Sequence, residues 1–72
     1  MHKIVFLKKI EPYLKLLKGN GKEIASRLNM DYKRYNYFLR GTVNEASEYQ
    51  SILEETIKFH KEYNDQVNAP AA

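Results

Sequence analysis

Residues 22–41 read Lys22-Glu-Ile-Ala-Ser-Arg-Leu-Asn-Met-Asp-Tyr-Lys-Arg-Tyr-Asn-Tyr-Phe-Leu-Arg-Gly41. Ile24 and Leu28 stand four apart, which puts both on one helix face, and Ala25 beside them is small enough for a second helix to cross closely. After Leu28 the pattern requires a tight turn. Asn29 is the side chain that best tolerates a left-handed backbone after glycine, and Met30 offers an apolar group to tuck beneath the turn. Asp31 is a good N-cap, because its carboxylate accepts from backbone N–H groups that a helix start leaves without partners. A second helix then turns Tyr35, Phe38 and Leu39 inward and Lys33, Asn36, Tyr37 and Arg40 outward, with Gly41 ending it.

The outward set contains no acid. Lysine and arginine reach guanine or phosphate, asparagine makes a bidentate pair with adenine, and tyrosine touches a thymine methyl or a phosphate. These are the residue types that reading a DNA major groove uses. The stretch resembles the helix-turn-helix family of phage and bacterial repressors, the lambda-repressor-like and Cro-like proteins. The resemblance rests on Ile24-Ala25, Leu28-Asn29-Met30-Asp31, Tyr35, Phe38 and the closing Arg40-Gly41, and covers 20 of 72 residues. It implies that the helix from Tyr32 to Arg40 enters the major groove with its first turns nearest the bases. It also implies phosphate contacts from the start of the preceding helix, here Gly21 and Lys22. The chain departs from the family's usual pattern at Asn29, commonly glycine, at Tyr35, commonly a branched aliphatic, and at Gly21, often glutamine. Base contacts are accordingly expected from Tyr32, Lys33, Asn36, Tyr37 and Arg40, and phosphate contacts from Gly21, Lys22, Arg34 and Thr42.

Upstream, Ile4 to Leu17 carries Phe6, Leu7, Ile10, Tyr13, Leu14 and Leu17 at helical spacing, with Lys8, Lys9, Lys15 and Lys18 mostly between them. Pro12 either kinks this helix or begins a shorter one. The β-branched pair Ile4-Val5 permits a short extended piece. Gly19-Asn20-Gly21 is expected to end the segment, with Asn20 and Glu23 forming a capping box for a short helix, Lys22 to Leu28. Downstream, Thr42-Val43-Asn44 reads as a connection and Asn44 as the N-cap of a last helix from about Glu45 to about Val67, with Glu45 and Glu48 near its positive end. Ala46, Tyr49, Leu53, Thr56, Ile57, His60, Tyr63 and Val67 form one stripe on it, widened by Ile52 and Phe59. That is more apolar face than two short helices cover. A homodimer through Tyr49, Leu53, Ile57, His60 and Tyr63 is the simplest way to bury the surplus. The expected fold is an all-α bundle of about four helices over residues 1–67, followed by a disordered tail, 68–72.

Composition narrows the function classes. There is no cysteine, so disulfides, thiolate zinc sites and thiol nucleophiles are excluded together. His2 and His60 lie too far apart in sequence to form a helical metal pair, and no metal or cofactor is expected. No Ser-His-acid or paired-carboxylate arrangement stands out; Glu54 and Glu55 diverge by about 100° on a helix. Neither an enzyme nor a small-molecule substrate is expected. No stretch approaches the roughly 20 apolar residues of a membrane span, which leads to the expectation of a soluble cytoplasmic protein. Charge is uneven: residues 1–44 carry a net +7 and residues 45–72 a net −4. Such asymmetry is an electrostatic footprint for a polyanion, although a solvated surface also produces it. Together these readings lead to a sequence-specific double-stranded DNA-binding regulator acting as a homodimer. The alternative is a helical adaptor that uses the same fold to bind a protein, such as a phage structural component or a host polymerase subunit.

Overall fold

The computed structural model describes the chain through residue 67, with side chains described through Asn64. The expected 68–72 tail, and Val67's place in the apolar stripe, lie outside what is described. The fold is all-α: α1 (Lys3–Ile10), a 3-10 turn (Glu11–Tyr13), α2 (Leu14–Arg27), α3 (Tyr32–Leu39) and α4 (Ser47–Val67). Because α1, the 3-10 turn and α2 follow without a loop, the molecule is a bent N-terminal arm, a short helix and a long C-terminal helix.

The expected break at Gly19-Asn20-Gly21 does not occur; α2 runs straight through it. A glycine in a helix interior costs only about 1 kcal/mol relative to alanine, a penalty that packing overrides. Asn20 caps nothing, and its side-chain amide instead donates to the carbonyl of Leu16 one turn back at 2.8 Å. The arm bends at Pro12, which sits at the start of the 3-10 turn where its missing N–H is not needed.

The extended pairing also falls elsewhere. Ile4 and Val5 are helical, and α1 is capped by His2, whose Nδ1 accepts from the Ile4 N–H at 3.1 Å. Immediately upstream, Met1 to Lys3 pair with the segment before α4: the Lys3 N–H donates to the Asn44 carbonyl at 2.7 Å, and the Ala46 N–H to the Met1 carbonyl at 3.1 Å. This clasp explains why α4 begins at Ser47 and not at Glu45, since Glu45 bridges to His2, the backbone of Asn44 and Ala46 bonds to the N-terminal segment, and Asn44 lies too far upstream to serve as the cap.

The core is formed by Phe6 and Ile10 of α1, Leu17, Ile24 and Ala25 of α2, Tyr35 and Phe38 of α3, and Tyr49, Ile52, Leu53 and Phe59 of α4. Tyr49 is its aromatic centre. Phe6 stacks on it at 4.6 Å between centroids, Phe38 meets it edge-on at 5.6 Å, and its hydroxyl donates to the Val43 carbonyl. Thr56, buried with them, donates to the Ile52 carbonyl at 2.7 Å. Three of the residues read at helical spacing between Ile4 and Leu17 are not buried: Leu14 is exposed, Leu7 lies at the rim, packed over Gly41, and Tyr13 is half-buried.

Two arginines fasten the first half of the chain to α4. Arg27, at the end of α2, lies over the Phe59 ring at 4.9 Å and donates to Glu62 at 2.5 Å, with Glu23 at 3.6 Å and Glu55 at 3.8 Å. Arg34 of α3 reaches Glu48 at 2.5 Å and covers the Phe38 ring. The Arg27 hydrogen bond holds the Glu62 carboxyl below its ordinary 4.5. Glu48 is lowered by its own backbone amide first, then by the Ser47 hydroxyl and the charge of Arg34. A carboxyl whose folded pKa is depressed adds stability above its unfolded pKa and loses it as pH falls through the folded value. Thermal denaturation between about pH 7 and pH 3 should therefore show Tm falling below about pH 5, and less steeply in Glu62→Gln. An identical profile in the variant would remove Glu62 from the acid response.

Candidate nucleic-acid interface

The 22–41 stretch folds as two helices joined by four residues, 28–31. Leu28 caps α2, and Asn29 takes the left-handed conformation with φ of 53°. The Met30 N–H then donates back to the Ala25 carbonyl at 2.9 Å, and Met30 packs against the core. Asp31 caps α3, its carboxylate accepting from the Lys33 N–H at 3.0 Å. Gly41 leaves α3 with φ of 68°. Within this stretch Asn29, Met30, Asp31 and Gly41 each take the place their chemistry suits, unlike the caps expected at Asn20 and Asn44.

Tyr35 sets how α3 sits on α2. It is wholly buried, and a Cβ placed on Gly21 would come within 3.2 Å of its ring and 3.4 Å of Tyr32. The two tyrosines stack at 6.2 Å. Burial pushes the Tyr35 hydroxyl up to about 12, with Tyr32 adding to the shift, and that hydroxyl has no hydrogen-bond partner among the described residues. Its value lies in ring packing and not in polar contact.

With Tyr35 and Phe38 inward, the opposite face of α3 is fixed. At about 100° per residue, Asn36, Arg40, Lys33 and Tyr37 fall within an arc of roughly 100°. Lys33, Tyr37 and Arg40 are exposed and Asn36 is half-buried. Lys33, Asn36, Arg40 and the half-buried Leu39 line an open depression of 530 Å³. Leu39, read as purely inward, thus contributes an apolar floor, which its position at the edge of the inward set explains. Tyr32 stands at the α2 edge of this face, 42 % exposed, with the Lys22 ammonium 5.7 Å from its ring centroid.

The expected phosphate contacts fare unevenly. Lys22 and Thr42 are exposed. Gly21 is buried within α2, under Tyr35, so it offers no free helix start to a phosphate. Arg34 is engaged by Glu48. The expected dimer surface is also revised: Tyr49 and Leu53 belong to the protomer's own core, because α1 and α2 together cover more of α4 than two short helices would. Ile57 and Tyr63 are exposed, 45 % and 47 %, and His60 is half-buried edge-on against Tyr13 at 5.1 Å. The anchoring role of Arg27 was missed by sequence reading; its four-residue spacing from Glu23 was the only local signal, since Glu55, Phe59 and Glu62 arrive through tertiary packing.

Among the described residues no helix is long and apolar enough to cross a membrane, and no cluster of three or more metal-ligating side chains occurs. No protein-family profile, curated protein or solved structure matches the chain.

The two buried tyrosines differ in a way that unfolding measurements resolve. Tyr49→Phe removes a made hydrogen bond and should lower stability by about 1 kcal/mol, whereas Tyr35→Phe removes an unpartnered hydroxyl and should leave Tm unchanged or raised. Equal losses in both would contradict this account of Tyr35.

Proposed function

We propose that this chain binds double-stranded DNA sequence-specifically by laying the outward face of α3 in the major groove, as a small homodimeric regulator of the repressor type that residues 22–41 resemble. One observation carries the reading: the outward arc of α3 presents two cations, an amide and a phenol with no carboxylate among them, on a helix whose rotation is locked by Tyr35 and Phe38. A helix with side chains is about 10–12 Å across and the major groove about 12 Å wide. In this pose Lys33, Asn36, Tyr37 and Arg40 face base edges, Tyr32 lies at the groove wall, and Lys22 and Thr42 hold phosphates. Arg34 orients α3 against Glu48 and is not needed for DNA.

Pairing of two copies is part of the proposal because a two-fold dimer reads two half-sites about one helical turn apart. The surface available for it is the part of the apolar stripe that the protomer leaves exposed, Ile57 and Tyr63 with His60 at its edge. A regulator of this kind works where the DNA is, in the cytoplasm of a bacterial or phage-infected cell.

Selection from a random duplex pool at about 150 mM salt, where nonspecific phosphate binding is weakened, should enrich a palindrome. Against that site the double variant Lys33→Ala/Arg40→Ala should bind at least about 30-fold more weakly and lose base discrimination, each bidentate contact contributing about 1–3 kcal/mol. Absence of any enriched sequence, or full binding by the double variant, would refute groove reading by α3 and leave the protein-binding adaptor as the working function.

A further inference from the structure

Lys15, Lys18 and Lys22 recur on α2 at intervals of three and four residues. At about 100° per residue they fall within an arc of roughly 60°, forming one row about 10 Å long. All three are exposed, and none joins an ion pair among the described residues, whereas Arg27 and Arg34 nearby are both neutralised by α4 carboxylates. The row is continuous with the α3 face. Lys22 adjoins the Tyr32 ring, and the neighbouring Gly21 is the point where α2 touches Tyr32 and Tyr35.

Beside this row lies Gly19, mid-helix and exposed, where an added Cβ would meet nothing within 4 Å. Packing therefore does not require a glycine there, in contrast to Gly21. A glycine inside a helix that packing does not explain is consistent with the close approach of another backbone from outside the protein.

We infer that Lys15, Lys18 and Lys22, with Gly19 as the flat place at the edge of their row, form a track for one sugar-phosphate strand of the duplex whose major groove α3 enters. Each strand carries a charge about every 3.4 Å of helix axis and also winds around that axis, so a row about 10 Å long that follows the strand faces roughly two phosphates. The inference rests on the DNA-binding reading and extends it: the contact expected from a helix start at Gly21 is made instead by side chains along the flank of α2.

The test measures duplex affinity by fluorescence anisotropy from about 50 to 200 mM salt, for the full chain and three variants. Lys15→Gln/Lys18→Gln should lower the slope of log K against log salt by about 1.8, near 0.9 per lost phosphate contact, and weaken all sequences alike. Lys58→Gln/Lys61→Gln, which removes the same charge from exposed positions of α4, should leave the slope nearly unchanged. Gly19→Ala should raise Tm by about 5 °C while weakening duplex binding roughly fivefold through lost close approach. Equal slope losses in the two lysine pairs would overturn the track, as would a Gly19→Ala protein that is stabilised and binds as well as the parent. If the unaltered chain binds no duplex at any salt, the DNA-binding reading falls and the track with it; binding whose slope none of the variants changes removes the track alone.

Discussion

The fit of Tyr35 against Gly21 is the contact on which the rest of the molecule depends. A bulky aromatic ring seats closely between α2 and α3 because the facing residue has no side chain; a Cβ there would press to within 3.2 Å of the ring. Once the ring is seated, the rotation of α3 about its axis is decided, and so is the identity of the four side chains turned to solvent. The turn supplies the rest: Asn29 in its left-handed conformation, Met30 beneath it and Asp31 as cap return the chain at the one place where Tyr35 can enter. Protein interiors pack at crystal-like density, so rotating α3 would mean expelling that ring.

Charge follows the same division of labour. The excess of acid after residue 45 and of base before it is partly structural, since Glu48 engages Arg34, while Glu55 and Glu62 engage Arg27. Exposed pairs of this kind contribute little stability singly, but each also lays a guanidinium over an aromatic ring at the seam between elements. What they leave over is informative. The arginines at the seams are occupied, and the cations of the α2 flank and outer α3 remain without acidic partners among the described residues. A nominally modest net charge of +3 thus resolves into fastened and unfastened parts.

Much of this was legible in the sequence where local chemistry dominates. Asn29, Asp31 and Gly41 are residues whose side chains, or lack of one, suit few conformations, and the inward and outward faces of α3 followed from spacing alone. Readings failed where distant residues decide. Gly19-Asn20-Gly21 resembles a helix end, yet Gly21 is a packing glycine, which only the arrival of Tyr35 reveals. Asn44 is chemically a good cap, but the N-terminal clasp from Met1 to Lys3 engages its carbonyl and the helix starts only at Ser47. Tyr49 and Leu53 looked like surplus surface because the sequence split one long α2 into two shorter pieces and so underestimated what covers α4.

The most direct measurement of the central claim is a two-dimensional amide NMR titration of the intact chain with duplex DNA at near-physiological salt. The account predicts shift changes concentrated on Tyr32, Lys33, Asn36, Tyr37 and Arg40 and on the neighbouring α2 flank, with the core amides around Tyr49 nearly unmoved. Changes confined to the exposed half of α4 around Ile57 and Tyr63, with α3 silent, would contradict it.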